Sequence, residues 1–343
     1  MTRRLSAIIL CCILAVLPLT AQKRKNSAPD PKEKGLASIS ETTARAIVGF
    51  LASDELEGRE SGLNGANVAG RYIASCLQMM GVQPLLPEGY FQEFSACAPE
   101  RQVKGRFEVH RDSIAKLQQG LHRRINLRNV LAMIPGEHSD EYVVVGAHFD
   151  HLGTDRMLEG DKIYNGADDN ASGVSAVLQI AKAFVESGKK PLRNIICAFW
   201  DGEERGLLGS KHFTLECPFI GQIKAYLNFD MIGGNNRPED PQYMVFFHTA
   251  AVPAFGRWLR SDIERYGLRL HPDCRSWDNP VSGSDNASFA RCGIPILWYH
   301  TDAHPNYHKP GDHAEGLNWD KLTEITKASY LNAWNMANME IFE

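Results

Sequence analysis

"YVVVGAHF", residues 142–149, is the stretch on which the fold turns. It is apolar nearly throughout, too short for a typical helix, and shows no polar alternation, which marks a strand buried on both faces. Outward from it the same texture recurs in "NIICAFW" (194–200), "KAYLNFD" (224–230) and "IPILWYH" (294–300), with "YMVFFHT" (243–249) as a further strand candidate. Helical patterns separate them: "ASGVSAVLQIAKAFVES" (171–187), "GLLGSKHFTLE" (206–216) and "AVPAFGRWLRSDIERYG" (251–267), with "WDKLTEITKASYLNAWNMAN" (319–338) as the last helix. Further back, "SISETTARAIVGFLASDELEG" (38–58) and "NGANVAGRYIASCLQMMG" (64–81) carry two more. Buried strands alternating with helices predict an α/β sheet covered on both sides. Ligands in such sheets bind beyond the carboxyl ends of the strands.

Those ends carry chemistry. The first strand runs into His148 and Asp150, and "GADDNASG" (166–173) brings Asp168 and Asp169 to the start of a helix. The second runs into "DGEERGLLGS" (201–210) with Glu203 and Glu204, the third into Asp230, and the last into "YHTDAHPNYHKPGDH" (299–313). His300, His304 and His308 stand there at i, i+4, i+8, the spacing of a metal-binding helix. Pro305 and Pro310 oppose a helix, so the segment reads as a loop that need not use its histidines together. Taken singly, each feature has an ordinary explanation: a surface histidine, an N-cap, a charged turn. Their joint delivery to one rim supplies what a pair of Zn²⁺ ions would take, since imidazole suits zinc and a carboxylate can bridge two metals. Of Glu203 and Glu204, one can hold a metal while the other takes a proton from water.

The chain has 343 residues, 43% hydrophobic and 23% charged, with a net charge of −4, an ordinary globular composition without the basic excess of a nucleic-acid or anionic-membrane binder. Residues 1–21 read as a signal peptide with cleavage after Ala21, followed by a flexible lead-in over 22–37 and one catalytic domain over 38–343. The expected location is exported, periplasmic or secreted, with no membrane span left after the signal is removed. A lipoprotein anchor at Cys11 or Cys12 is less favoured, because neither follows the small residues such a signal uses. The other six cysteines (Cys76, Cys97, Cys197, Cys217, Cys274, Cys292) lack paired spacing, and Cys197 reads as a buried thiol.

The motifs "AHFDHLG", "GADDNASG", "DGEERGLLGS", "NFDM", "SDNASFARCGIP" and "YHKPGDH", in that order, resemble the co-catalytic di-zinc aminopeptidase family of the MH clan, to which glutamate-carboxypeptidase-like enzymes and glutaminyl cyclases also belong. "LEGRESGLNGANVAGRYIASCLQMMGVQP" (56–84) is similar to the family's N-terminal helix region. The resemblance implies a three-layer α/β/α sandwich around a mixed, mostly parallel sheet, and the roughly 90 residues between the first helix and "AHFD" speak against an inserted protease-associated domain. It implies two Zn²⁺, replaceable by cobalt or manganese, held by His148, Asp169, Glu204, Asp230 and His308. Asp169 would be the bridge and Asp168 its structural neighbour. Glu203 would be the general base, Asp150 the partner that orients His148, Tyr307 a hydrogen-bond donor to the tetrahedral intermediate, and Asp312 the anchor of its loop. The implied activity is that of an exopeptidase on a peptide or small amide with a free terminus. An aminopeptidase is expected ahead of a carboxypeptidase, dipeptidase or glutaminyl cyclase, with a non-catalytic receptor-like domain last. "SDN" (284–286) departs from the family's usual Ser-Asp-His or Ser-Asp-Tyr, which leaves a substrate role for Asn286 in doubt. His304 remains unassigned, and oligomeric state is not legible.

Overall fold

The apolar run at 142–149 becomes the middle of a sheet. The computed structural model describes residues 30–100, 106–277 and 283–342. The chain enters through α1 (Pro31–Ala37), α2 (Glu41–Leu51) and α3 (Asn64–Met79). It continues through β1 (Gln83–Pro84), β2 (Phe91–Pro99), the short α4 (Arg111–Leu117), β3 (His122–Ile134) and β4 (His138–His148). A two-stranded ribbon, β5 (Gly153–Thr154) with β6 (Ile163–Tyr164), precedes α5 (Gly173–Ser187) and β7 (Arg193–Trp200). Then follow α6 (Leu208–Glu216), β8 (Ile223–Phe229), β9 (Tyr243–His248) and α7 (Ala254–Tyr266). The chain closes with β10 (His271–Ser276), α8 (Asn286–Ala290), β11 (Ile296–His300) and α9 (Trp319–Asn338).

Among the described residues, the main sheet has nine strands in the order β1-β3-β7-β4-β8-β11-β9-β10, with β2 also on β3. The central run β7-β4-β8-β11 is parallel, while β3 on β7 and β9 on β11 are antiparallel. Successive side chains of a strand face opposite ways. Val143 and Val145 therefore enter the core under α5 and α9, whereas Val144 enters a second core with Trp200, Phe213 of α6 and Phe289 of α8. Both cores are dry, which is why polar alternation is missing from the sequence. The expected three-layer α/β/α sandwich around a mixed sheet is the observed one, with four parallel strand pairings (the central run and β9 with β10) and four antiparallel ones.

Residues 31–37, read as part of a flexible lead-in, are instead helical. Asp30 caps α1 by accepting from the Lys32 amide at 2.9 Å, and Pro31 suits the first turn. Gly35 lets the helix lie against Tyr330 of α9, where an added Cβ would stand 2.1 Å from the hydroxyl oxygen. The charge and prolines of this segment were visible in the sequence, but the surface waiting for it was not. The signal peptide read at 1–21 and residues 22–29 lie outside the described residues. No helix among the described residues is long and apolar enough to cross a membrane. The six cysteines stand as free thiols, with Cys197 fully buried.

Candidate metal centre

Because the central strands are parallel, their carboxyl ends share one rim, and the loops beyond them converge there. His148 ends β4, Asp230 follows β8, Glu203 and Glu204 follow β7, Asp169 precedes α5, and His308 follows β11. Asp169 stands at the centre. Its Oδ1 lies 3.3 Å from Nε2 of His148, which is 3.7 Å from Oδ1 of Asp230. Its Oδ2 lies 3.2 Å from Nε2 of His308, which is 3.2 Å from Oε2 of Glu204. One carboxylate thus offers an oxygen to each of two donor groups. The edges of a zinc tetrahedron with bonds of about 2.0–2.1 Å are about 3.3 Å long, so these separations fit zinc on both sides of Asp169. All five expected ligands are brought together.

A sixth residue joins them. Among the described residues, the groups able to hold a metal are His148 with Asp169 and Asp230, and His151 with Asp169 and Glu204. Nδ1 of His151 lies 2.8 Å from Oε1 of Glu204, and its buried Nε2 has no hydrogen-bond partner. The sequence reading passed over His151, although it stands in "AHFDHLG" three residues after the predicted ligand. Its loop position carried no sign of which way the ring would turn.

The electrostatics ask for positive charge. Burial disfavours a charge on His148, but the carboxylates of Asp150, Asp169 and Asp230 outweigh it and raise its pKa well above the ordinary value. Burial likewise opposes charge on His308, and Asp169 and Glu204 still push it up to about 10. Burial would raise Asp169, yet His151, His148 and His308 hold it well below the usual carboxylate range. Glu203 goes the other way: burial, reinforced by Glu204, Asp230 and Asp285, raises it well above normal against the pull of His148. A centre that recruits protons onto its histidines to balance crowded carboxylates is one that bound divalent cations would balance.

Neighbouring groups hold this geometry. Asp150 is fully buried behind His148, with Oδ1 3.6 Å from Nδ1. It accepts from Ser61 Oγ at 2.6 Å and from the amides of Glu203 and Glu204 at 3.0 and 3.3 Å. With its carbonyl 3.1 Å from Nδ1 of His148, Asp150 stands beside that histidine and holds the turn of Glu203 and Glu204. Asp312 accepts from the amides of Asp168 and Asp169 at 3.0 Å, tying the loop of His308 to that of Asp169. His304 faces away from the metal ligands, with Nε2 3.3 Å from Oδ2 of Asp168, whose Oδ1 accepts from the Gly233 amide at 2.6 Å. His300 closes on the Asp230 carbonyl at 2.6 Å, and His313 pairs with Asp161 at 2.9 Å on the surface. The histidine-rich stretch forms turns, and of its four histidines His308 alone reaches the ligand cluster.

Arg59, which the sequence reading did not single out, is buried under the centre. It donates to the carbonyls of Phe149 (2.8 Å), Leu51 (2.5 Å), Asn165 (2.6 Å) and Gly166 (2.9 Å). Burial lowers its pKa to about 10, against the carboxylates of Asp169, Asp312, Asp150 and Glu204. Asn286 is buried within hydrogen-bond reach of Asn228 on β8, next to Ala287, which lines the cavity described below. Beside the centre opens a cavity of about 550 Å³, lined by Glu203, Glu204, Tyr307 and His308 among others. Tyr307 is 40% exposed there, its ring stacked on His308 with centroids 3.9 Å apart.

The comparisons with known proteins agree with this architecture. Leupeptin-inactivating enzyme 1 of Streptomyces exfoliatus is 31% identical over 170 residues, covering 49% of this chain and 34% of that protein. A glutamate carboxypeptidase 2 homolog of Caenorhabditis elegans is 28% identical over 232 residues, covering 56% of this chain and 28% of that one. The chain thus spans about a third of the length of these relatives. The LapA aminopeptidase structure of Legionella pneumophila superposes with a TM-score of 0.67 at 20% identity, covering 98% of this chain and 81% of that one, which establishes the shared fold. Residues 129–332 match the pattern of Peptidase family M28, a span that holds the carboxyl ends of β4, β7, β8 and β11 and all the candidate metal-binding residues described above. On that match the chain belongs to Peptidase family M28.

Proposed function

We propose that this chain is an exported, zinc-dependent exopeptidase of the aminopeptidase type, its activity carried by a single domain over residues 38–343. The observation that carries the reading is Asp169, with one oxygen in each of two donor groups beside a cavity. His148, Asp169 and Asp230 would hold one zinc, and Asp169, Glu204 and His308 the other, with His151 as orienter of Glu204 or an additional ligand. Zinc bound there supplies Lewis acidity toward the scissile carbonyl and lowers the pKa of water.

The chain's own residues do the rest. The Glu203 carboxylate takes a proton from the attacking water and delivers it to the leaving nitrogen. Asp150 fixes the backbone of Glu203 from behind, so the carboxylate is presented without reorganisation. Tyr307, on the cavity wall, directs its hydroxyl toward the oxygen of the carbonyl under attack. Glu203→Gln keeps the shape and removes the base. Turnover of a peptide with a free N-terminus should fall by at least about 10²-fold, while elemental analysis still finds about two zinc per chain. Surviving turnover would remove Glu203 from this role. A library of peptides with free and blocked ends shows which terminus is needed, and an N-terminal glutamine peptide reveals cyclisation if it occurs.

A further inference from the structure

The cavity beside the centre has a charged wall that the reaction leaves unused. Arg106, Arg123, Arg205 and Arg291 all line it, together with Glu203 and Glu204 on the metal side. Lys211 lies behind this wall, its Nζ donating to the Gly206 carbonyl at 2.6 Å, and burial together with Arg291 and Arg106 lowers its pKa. Arg205 is paired with Glu60, and the Arg123 guanidinium lies 5.4 Å from the Phe107 ring centroid. Glu108 and Asp285 face Lys211, and Asp285 is buried and out of a ligand's reach. Arg106 and Arg291 are both exposed at the opening. They come from segments 185 residues apart in sequence (291 − 106) and meet only around this cavity.

Like charges gathered on one wall repel each other, and an anion between them offsets that cost. Guanidinium groups present a planar fork that matches a carboxylate, which a solvated lysine does not. Glu203 lines the same cavity, which puts an anion held by these arginines on the same side of the centre as the scissile bond. We infer that this pocket selects peptides carrying a carboxylate close to the cleaved bond, with Arg106 and Arg291 as the specificity-determining residues. The carboxylate can be the free C-terminus of a short peptide or an acidic side chain. This inference rests on the exopeptidase reading above.

The test uses the zinc-loaded full chain and three peptides: Ala-Ala-Ala-amide, Ala-Ala-Ala with a free C-terminus, and Ala-Glu-Ala-amide, with the released residue identified by mass. At least one carboxylate peptide should exceed the neutral amide in kcat/KM by about tenfold or more, mainly through KM. Whichever of the two does so names the source. That ratio should collapse in the Arg106→Gln, Arg291→Gln double variant and hold in Arg45→Gln, a surface control. It should also shrink when salt is raised from about 0.01 to about 1 M, where the screening length falls from about 30 to about 3 Å. Equal kcat/KM for all three peptides, or a ratio indifferent to the double variant, overturns the inference and leaves the exopeptidase reading standing. Release of the C-terminal residue from the carboxylate peptides keeps the arginine site and overturns the aminopeptidase reading. Hydrolysis of none overturns both.

Discussion

Asp169 and His304 show how differently two residues in the same neighbourhood can be used. Asp169 divides its two oxygens between His148 and His308, whereas His304 turns to Asp168 and supports the loop from behind. His308→Ala should therefore lower zinc after dialysis toward about one per chain, because the donors on the Glu204 side lose an imidazole. His304→Ala should keep both zinc ions and cost roughly 1–2 kcal/mol of stability through the loss of its ion pair with buried Asp168. Elemental analysis beside urea unfolding of the two variants separates these outcomes, and the reverse pattern would exchange their roles. His308 was legible because its Tyr-His and trailing Gly-Asp matched a motif. His151 was not: whether a loop histidine turns toward Glu204 depends on side-chain packing that neither spacing nor composition encodes.

At the scale of elements, buried backbone accounts for most of what the sequence hid. The loops bearing Phe149, Asn165 and Gly166 expose carbonyls inward, and Arg59 is the donor that satisfies them. Arg59→Met would leave those acceptors unpaired beside a cluster of carboxylates, with an expected loss of at least about 3 kcal/mol in urea unfolding. Two helical glycines make a matched pair. Gly65 in α3 touches the turn before it, where a Cβ would come 1.8 Å from the Leu56 carbonyl oxygen, while Gly49 in α2 has nothing within 4 Å. Gly65→Ala should destabilise by about 1–3 kcal/mol, and Gly49→Ala should stabilise by about 0.5–1 kcal/mol, both read from urea midpoints. The strands of the central sheet were legible as apolar runs because both of their faces are dry. The edge strands β2 and β10 and the helix α1 were not, because edges alternate or carry charge and take their form from a neighbour.

For the molecule as a whole, the metal centre should also hold the fold together, since its donors come from loops spanning residues 148 to 308. Ligands that bind the folded state alone stabilise by mass action, about 4 kcal/mol at a thousandfold excess over Kd. Chelation should therefore lower the thermal midpoint by several degrees, and added zinc should restore it. An unchanged midpoint would mean that the carboxylates at the rim are already balanced without metal. The sequence alone determined which strands are buried, and that their carboxyl ends deliver histidines and carboxylates to one rim. Burial on both faces demands an unbroken apolar run, and parallel strands send their ends the same way. Tertiary structure alone decided that Asp169 serves two donor groups, that His151 joins Glu204 while His304 leaves for Asp168, and that Arg59 lies beneath. It also gathered arginines from distant segments onto one wall. Those placements depend on where loops far apart in the chain come to rest, and that is settled by packing rather than by any local pattern of residues.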